Sequence, residues 1–279
     1  MFGPSSRPLF NLPAGNAGWR FQFRFAVHAI WSRVPELWTL GIIPPTMNIK
    51  RRLFELGCCC SLIVFTGCAS VSSQGPSASD LRQRAESGDT VAQLLLGEDY
   101  DFGRDVRQSY TEAAKWYQMA AEHGDAIAQN NLGSFYQYGL GVATNYSQAV
   151  ALYKQSAAQG FMAAQSNLGY MYDYGLGLLK DKVEADSWYR RAADQGYPEA
   201  MLNLGVSYMT GEGVERDLTQ AYMWLNCGRW LTQFSHDMRT KWRIRGTLDD
   251  LKQHMTPEQI REGERMSKEW SGNYLKTHK

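Results

Sequence analysis

The sequence predicts an all-α protein, a right-handed α-solenoid of four helix-turn-helix repeats of 36 residues each with a helical C-terminal cap. Three observations carry this. A Leu-Gly pair recurs without a gap every 36 residues, as Leu96-Gly97, Leu132-Gly133, Leu168-Gly169 and Leu204-Gly205. Alanine stands four residues before each leucine (Ala92, Ala128, Ala164, Ala200) and tyrosine four after it (Tyr100, Tyr136, Tyr172, Tyr208), which places all three on one helix face. Glycine follows three residues past each tyrosine (Gly103, Gly139, Gly175, Gly211), where a left-handed residue ends a helix. One such hairpin cannot bury its apolar faces, so the units must stack on one another.

The chain opens with residues 1–46, which hold Trp19, Trp31, Trp38 and several arginines without a period. They are read as an extension upstream of a translation start at Met47, with a disordered or genuine basic-aromatic extension as the alternative. From Met47 the order is Lys50-Arg51-Arg52, an apolar run from Leu53 to Phe65, then Thr66-Gly67-Cys68. A positive start, an apolar stretch too short to span a bilayer and small residues at its end are the parts of a signal peptide, assigned to residues 47–67. Thr66-Gly67-Cys68 resembles the bacterial lipobox, although Glu55 interrupts the apolar run and Phe65 replaces the usual aliphatic residue. The resemblance implies acylation of Cys68, which would become the first mature residue. It also implies a lipid anchor in the cell envelope, on the outer membrane because alanine rather than aspartate follows at position 69. Cleavage there removes Cys58, Cys59 and Cys60 and leaves Cys227 as the one cysteine of the body, read as a small buried apolar side chain. Residues 68–87, rich in Ser, Ala, Gln and Gly, read as a flexible tether.

The four repeats are framed as 88–123, 124–159, 160–195 and 196–231. Each carries a second helical pattern that starts with Ala113, Ala149, Ala185 or Ala221. A large apolar pair follows: Trp116-Tyr117, Leu152-Tyr153, Trp188-Tyr189 or Trp224-Leu225. Units two to four add a second turn glycine (Gly141, Gly177, Gly213), whereas unit one has Asp105 there. After unit four the period stops, and residues 232–279 read as the cap. In it Thr256, Pro257 and Gln259 form a capping box ahead of a helix with Ile260, Met266, Trp270 and Tyr274 on one face. The basic residues Arg239, Lys241, Arg243 and Arg245 read as a solvated face, with contact to anionic lipid as the alternative.

The alanine, Leu-Gly, tyrosine, Gly-x-Gly and Trp-Tyr positions resemble the Sel-1-like repeat, a relative of the tetratricopeptide repeat, over residues 88–231. The resemblance implies a protein-interaction scaffold whose first helices line a concave groove. Transferring that geometry gives Glu98, Asp101, Asn130, Gln137, Tyr138, Tyr170, Asp173 and Tyr174 as partner-binding candidates. They are acidic and aromatic, which suits an extended peptide or protein segment with basic and apolar side chains.

Charge and motifs limit the other classes. The chain totals 29 Lys and Arg against 28 Asp and Glu, but residues 68–279 carry 22 against 26, which disfavours nucleic acid as partner. The Gly-x-Gly pairs have no strand before them, so they are turns rather than phosphate loops. The five histidines are scattered, and no metal, cofactor or catalytic constellation is expected. An envelope enzyme acting on β-lactam or peptidoglycan material is the second reading, drawn from disulfide-rich members of the wider family. The cysteine pair in each of their repeats is missing here.

Overall fold

The computed structural model describes residues 78–235 and 237–277. The upstream extension, the signal segment, Cys68 and the first part of the expected tether lie outside these residues. Eleven α-helices follow in order among the described residues: α1 Ala78–Glu86, α2 Thr90–Phe102, α3 Tyr110–Glu122, α4 Ala126–Tyr138, α5 Tyr146–Ala158, α6 Met162–Tyr174, α7 Lys182–Asp194, α8 Pro198–Thr210, α9 Leu218–Leu231, α10 Met238–Lys252 and α11 Pro257–Thr277. Pairs α2/α3, α4/α5, α6/α7 and α8/α9 are the four repeats, each second helix also packing on the first helix of the next unit. The protein is an α-solenoid. None of the described helices is long and apolar enough to cross a membrane.

Local chemistry sets the helix ends. Ser109, Asn145, Asp181 and Asp217 cap the second helices, each side chain accepting an amide hydrogen bond from the first turn. In the helix pairs, the repeated glycine of the Leu-Gly motif lies under an aromatic ring. A methyl group added at Gly97, Gly133 or Gly169 would fall 2.7, 2.8 or 2.8 Å from the ring of Tyr117, Tyr153 or Tyr189. Those rings are fully buried, so the missing side chain is what lets the two helices close on each other. In unit four the ring is replaced by Leu225, whose Cγ stands 2.7 Å from the corresponding position on Gly205.

Buried glutamines stitch the units. Gln93 donates to the carbonyl of Ala85, Gln129 to that of Ala121 and Gln165 to that of Ala157, at 3.2, 3.3 and 3.4 Å. Gln159 and Gln195 then donate to Gln129 and Gln165 at 2.9 and 2.7 Å. Ala85 lies 36 residues before Ala121, so α1 occupies the place of a preceding second helix. Leu81 and Ala85 cover Ala92 and Leu96. The expected tether is therefore helical from Ala78 onward, because two apolar residues one turn apart, hidden in a polar composition, find the open face of unit one.

The second turn glycine has a separate role. Gly177 has φ +71°, and a methyl group there would stand 2.5 Å from the backbone of Tyr146, the start of the preceding unit's second helix. Gly141 meets Tyr110 and Gly213 meets Lys182 in the same way. Asp105, the counterpart in unit one, is exposed at φ +53°, a conformation aspartate tolerates.

The cap contains two helices. Ile244, Leu248 and Leu251 of α10 are buried with Leu202, Tyr222 and Leu225. The helix α11 runs parallel to α9, because its contacts advance together: Gly263 under Tyr222, Ser267 accepting from Asn226 at 2.7 Å, Trp270 against Trp224 and Tyr274 against Trp230. Its capping box forms, with the Thr256 amide donating to Gln259 at 2.9 Å and the Gln259 amide to Thr256 at 3.3 Å. Cys227 is buried beside Met223 and Ser267, and burial pushes its thiol up to about 12.

Asp186 breaks the apolar pattern, standing where the other units have Ala114, Val150 and Tyr222. It is buried, and loss of water raises its carboxyl to about 6 despite Ser207, Lys182 and Arg190 nearby.

Three outcomes follow from this packing. Gly177→Ala should destabilise by about 3 kcal/mol in urea unfolding and separate the transition of units one and two from that of the rest. Asp105→Gly should change stability by no more than about 1 kcal/mol. Because the folded carboxyl of Asp186 titrates above its unfolded value, the burial cost is full above pH 6 and fades as pH falls toward about 4. Asp186→Val should accordingly raise the melting temperature at pH 7.5, by about 1–2 kcal/mol of stability, with a smaller gain at pH 4.5.

Candidate binding groove

The first helices of successive units stand side by side, with Asn167 on α6 donating to Asn130 on α4 at 2.9 Å. Their open face gathers tyrosines across units two and three. Tyr138 ends α4, Tyr146 begins α5, and Tyr170 and Tyr174 lie one turn apart on α6 with ring centroids 4.5 Å apart and tilted by 36°. Tyr138, Tyr146 and Tyr174 are exposed, Tyr174 to 60%. Tyr138 and Tyr170 are electrostatic neighbours of each other and both of Tyr146. Partial burial pushes the Tyr138 hydroxyl up to about 12, so it remains a neutral donor and acceptor across the physiological range.

The polar candidates behave differently. Glu98 is ion-paired with Arg104 at 3.3 Å. Asp101 accepts a hydrogen bond from the Tyr117 hydroxyl at 3.3 Å, and burial raises its carboxyl to about 6. Asp173 forms a close ion pair with Lys182, which also reaches Glu212 at 2.9 Å. Asn130 and Gln137, expected in the groove, do not lie on its surface. Both are buried, Asn130 against the neighbouring first helix and Gln137 as acceptor from the Tyr153 hydroxyl at 2.7 Å, so neither can meet a partner.

Asp101, Gln137 and Asp173 in fact share one repeat position, opposite the core tyrosines Tyr117, Tyr153 and Tyr189. The first two take the hydroxyl hydrogen bond, and Asp173 lies within electrostatic range of Tyr189. In unit four the tyrosine becomes Leu225 and the polar partner becomes Met209. That paired exchange was the signal, present in the sequence, that this position serves the core. The acidity expected of the groove is thus largely consumed by internal partners.

Four residues of this face are not among the groove candidates of the sequence. They are Tyr146, Glu199 on α8, and Arg239 and Arg243 on α10, which are electrostatic neighbours of Tyr138 and Tyr170. The regular spacing of Arg239 and Arg243, one helical turn apart, was visible. The return of the cap helix toward the first-helix face was not. Among the described residues no group of three or more His, Cys, Asp or Glu side chains could hold a metal ion.

Comparison with known proteins supplies the family. The model of the Sel1 repeat matches residues 90–125, 126–161, 163–197 and 198–228, a frame that starts at each first helix. A protective antigen of uropathogenic Escherichia coli with an SLR fold is similar, at 34% identity and a TM-score of 0.64, over 72% of this chain and 41% of the other. The chain thus spans about two-fifths of that protein's length. A Sel1 repeat protein from Oxalobacter formigenes is 33% identical with a TM-score of 0.53, over 62% of this chain and 68% of the other. A comparison with curated proteins gives no match. With four consecutive repeat matches, each on one helical hairpin, and a one-third identical solved relative covered over two-thirds of its length, the chain belongs to the Sel1 repeat family.

Proposed function

We propose that this protein is a non-enzymatic scaffold, held at a bacterial envelope membrane by lipid on Cys68, whose first-helix face binds an extended segment of a partner protein. Sel1 repeats generally mediate protein–protein interaction. The observation that carries the reading for this chain is the tyrosine surface of exposed Tyr138, Tyr146 and Tyr174 with half-buried Tyr170, across two adjacent units. Tyrosine offers a large amphipathic contact area with few torsions to immobilise, which makes it a frequent anchor at interfaces. A rigid face made from stacked hairpins loses little further entropy on binding.

Cross-linking in the native envelope should recover a reproducible protein partner, and changing Tyr138, Tyr170 and Tyr174 together to alanine should abolish its capture while helicity is kept and melting falls only by the packing that half-buried Tyr170 gives the core. Undiminished capture would remove the groove assignment, and recovery of cell-wall fragments alone would favour an enzyme. For the anchor, labelled palmitate should enter the parent chain and be lost on Cys68→Ala. An unlabelled parent would defeat that part.

A further inference from the structure

We propose that Arg239 and Arg243 form a carboxylate clamp at the cap end of the tyrosine face, so that the bound segment carries an aspartate, glutamate or terminal carboxylate beside an aromatic or large apolar residue. This rests on the groove reading above and adds the chemistry of its ligand. The core side of α10, marked by Thr240, Ile244, Leu248 and Leu251, is buried, while Arg239 and Arg243 are exposed on one flank, a turn apart. Arg239 lies within electrostatic range of Tyr138 and Arg243 of Tyr170. Two exposed guanidinium groups of the cap thus lie within electrostatic range of two rings from separate units, and Arg243 is tied to the first-helix row by its bond to Glu199 of α8.

Arg243 donates to Glu199 at 3.0 Å, and both side chains remain nearly half exposed, at 47% and 41%. An exposed ion pair of this kind is weak, and a guanidinium has donors to spare. Glu199 thus stands where a ligand carboxylate would dock, and an incoming acid either displaces it or shares Arg243 with it. The three acidic groove candidates are engaged by internal partners, Glu98 by Arg104, Asp101 by the Tyr117 hydroxyl and Asp173 by Lys182. A spacing of about 6 Å between residues four apart on a helix suits one carboxylate between two arginines, or acids at alternate positions of an extended strand. Arg245, exposed beyond the other flank of the buried side, provides a matched charge control.

The test uses the full chain carrying Cys68→Ala, immobilised and panned against a displayed library of random peptides. Enriched peptides should pair an acidic residue with a neighbouring aromatic or apolar one. Affinity for a synthetic copy should fall at least about tenfold in Arg239→Ala/Arg243→Ala, stay unchanged in Arg245→Ala and tighten in Glu199→Gln. Changing the peptide's acid to its amide should cost as much as losing the arginines. Enrichment of basic or uncharged peptides overturns the clamp, as does equal binding by the double variant. Binding of phosphatidylglycerol vesicles that depends on the same two arginines, with no peptide enriched, also overturns it in favour of a lipid surface. If the triple tyrosine variant still captures the enriched peptides, the groove reading itself fails; if it loses them while the arginine variant does not, only the clamp fails.

Discussion

The approach of a tyrosine ring to a helix backbone is the constraint on which this molecule depends. Gly97, Gly133 and Gly169 give up about 1 kcal/mol of helix propensity each, and in return Tyr117, Tyr153 and Tyr189 are buried flat against the bare helix. That contact fixes the separation of the two helices in every hairpin. It also decides where the ring's polar tip must go. The hydroxyls of Tyr117 and Tyr153 emerge at Asp101 and Gln137, so a residue position that looks like a ligand contact becomes part of the core's hydrogen bonding.

Repetition turns a local device into a long surface. The glutamine bonds between Gln93, Gln129, Gln165 and the ends of the preceding helices, with Gly141, Gly177 and Gly213 seated on the starts of the preceding second helices, set the offset from one unit to the next. Because each unit touches only its neighbours, both ends would expose apolar faces. At the front α1 stands in for a missing second helix, and at the back α10 and α11 cover unit four. The tyrosine face lies between these closures, on elements whose mutual positions the repeat contacts hold.

The fold was legible because it is written in strict period: Ala92, Leu96, Gly97, Tyr100 and Gly103 each recur three times more. The terminal closures were less so. Leu81 and Ala85 are too few to stand out from a polar segment, and only the exposed face of unit one makes them a helix. For the groove, the three tyrosines expected from the resemblance do lie exposed or half-exposed together, but of the polar candidates Asn130 and Gln137 are buried and Glu98, Asp101 and Asp173 are held by internal partners. The reason is geometric: a first helix is flanked by its partner helix and by first helices on either side, so its open stripe is narrower than its polar face. The placing of Arg239, Arg243 and Glu199 beside the tyrosines was unreachable from a one-dimensional pattern, since no local rule states which way a cap helix returns.

Hydroxyl-radical footprinting of the full chain, alone and with its captured partner cross-linked, tests the binding account most directly. Tyr138, Tyr146, Tyr170 and Tyr174 should lose reactivity together on complex formation, while Leu179 and Val183, which are also exposed, stay reactive and Tyr117, Tyr153 and Tyr189 stay silent in both states. Protection at Leu179 and Val183 with the four tyrosines unchanged would contradict it.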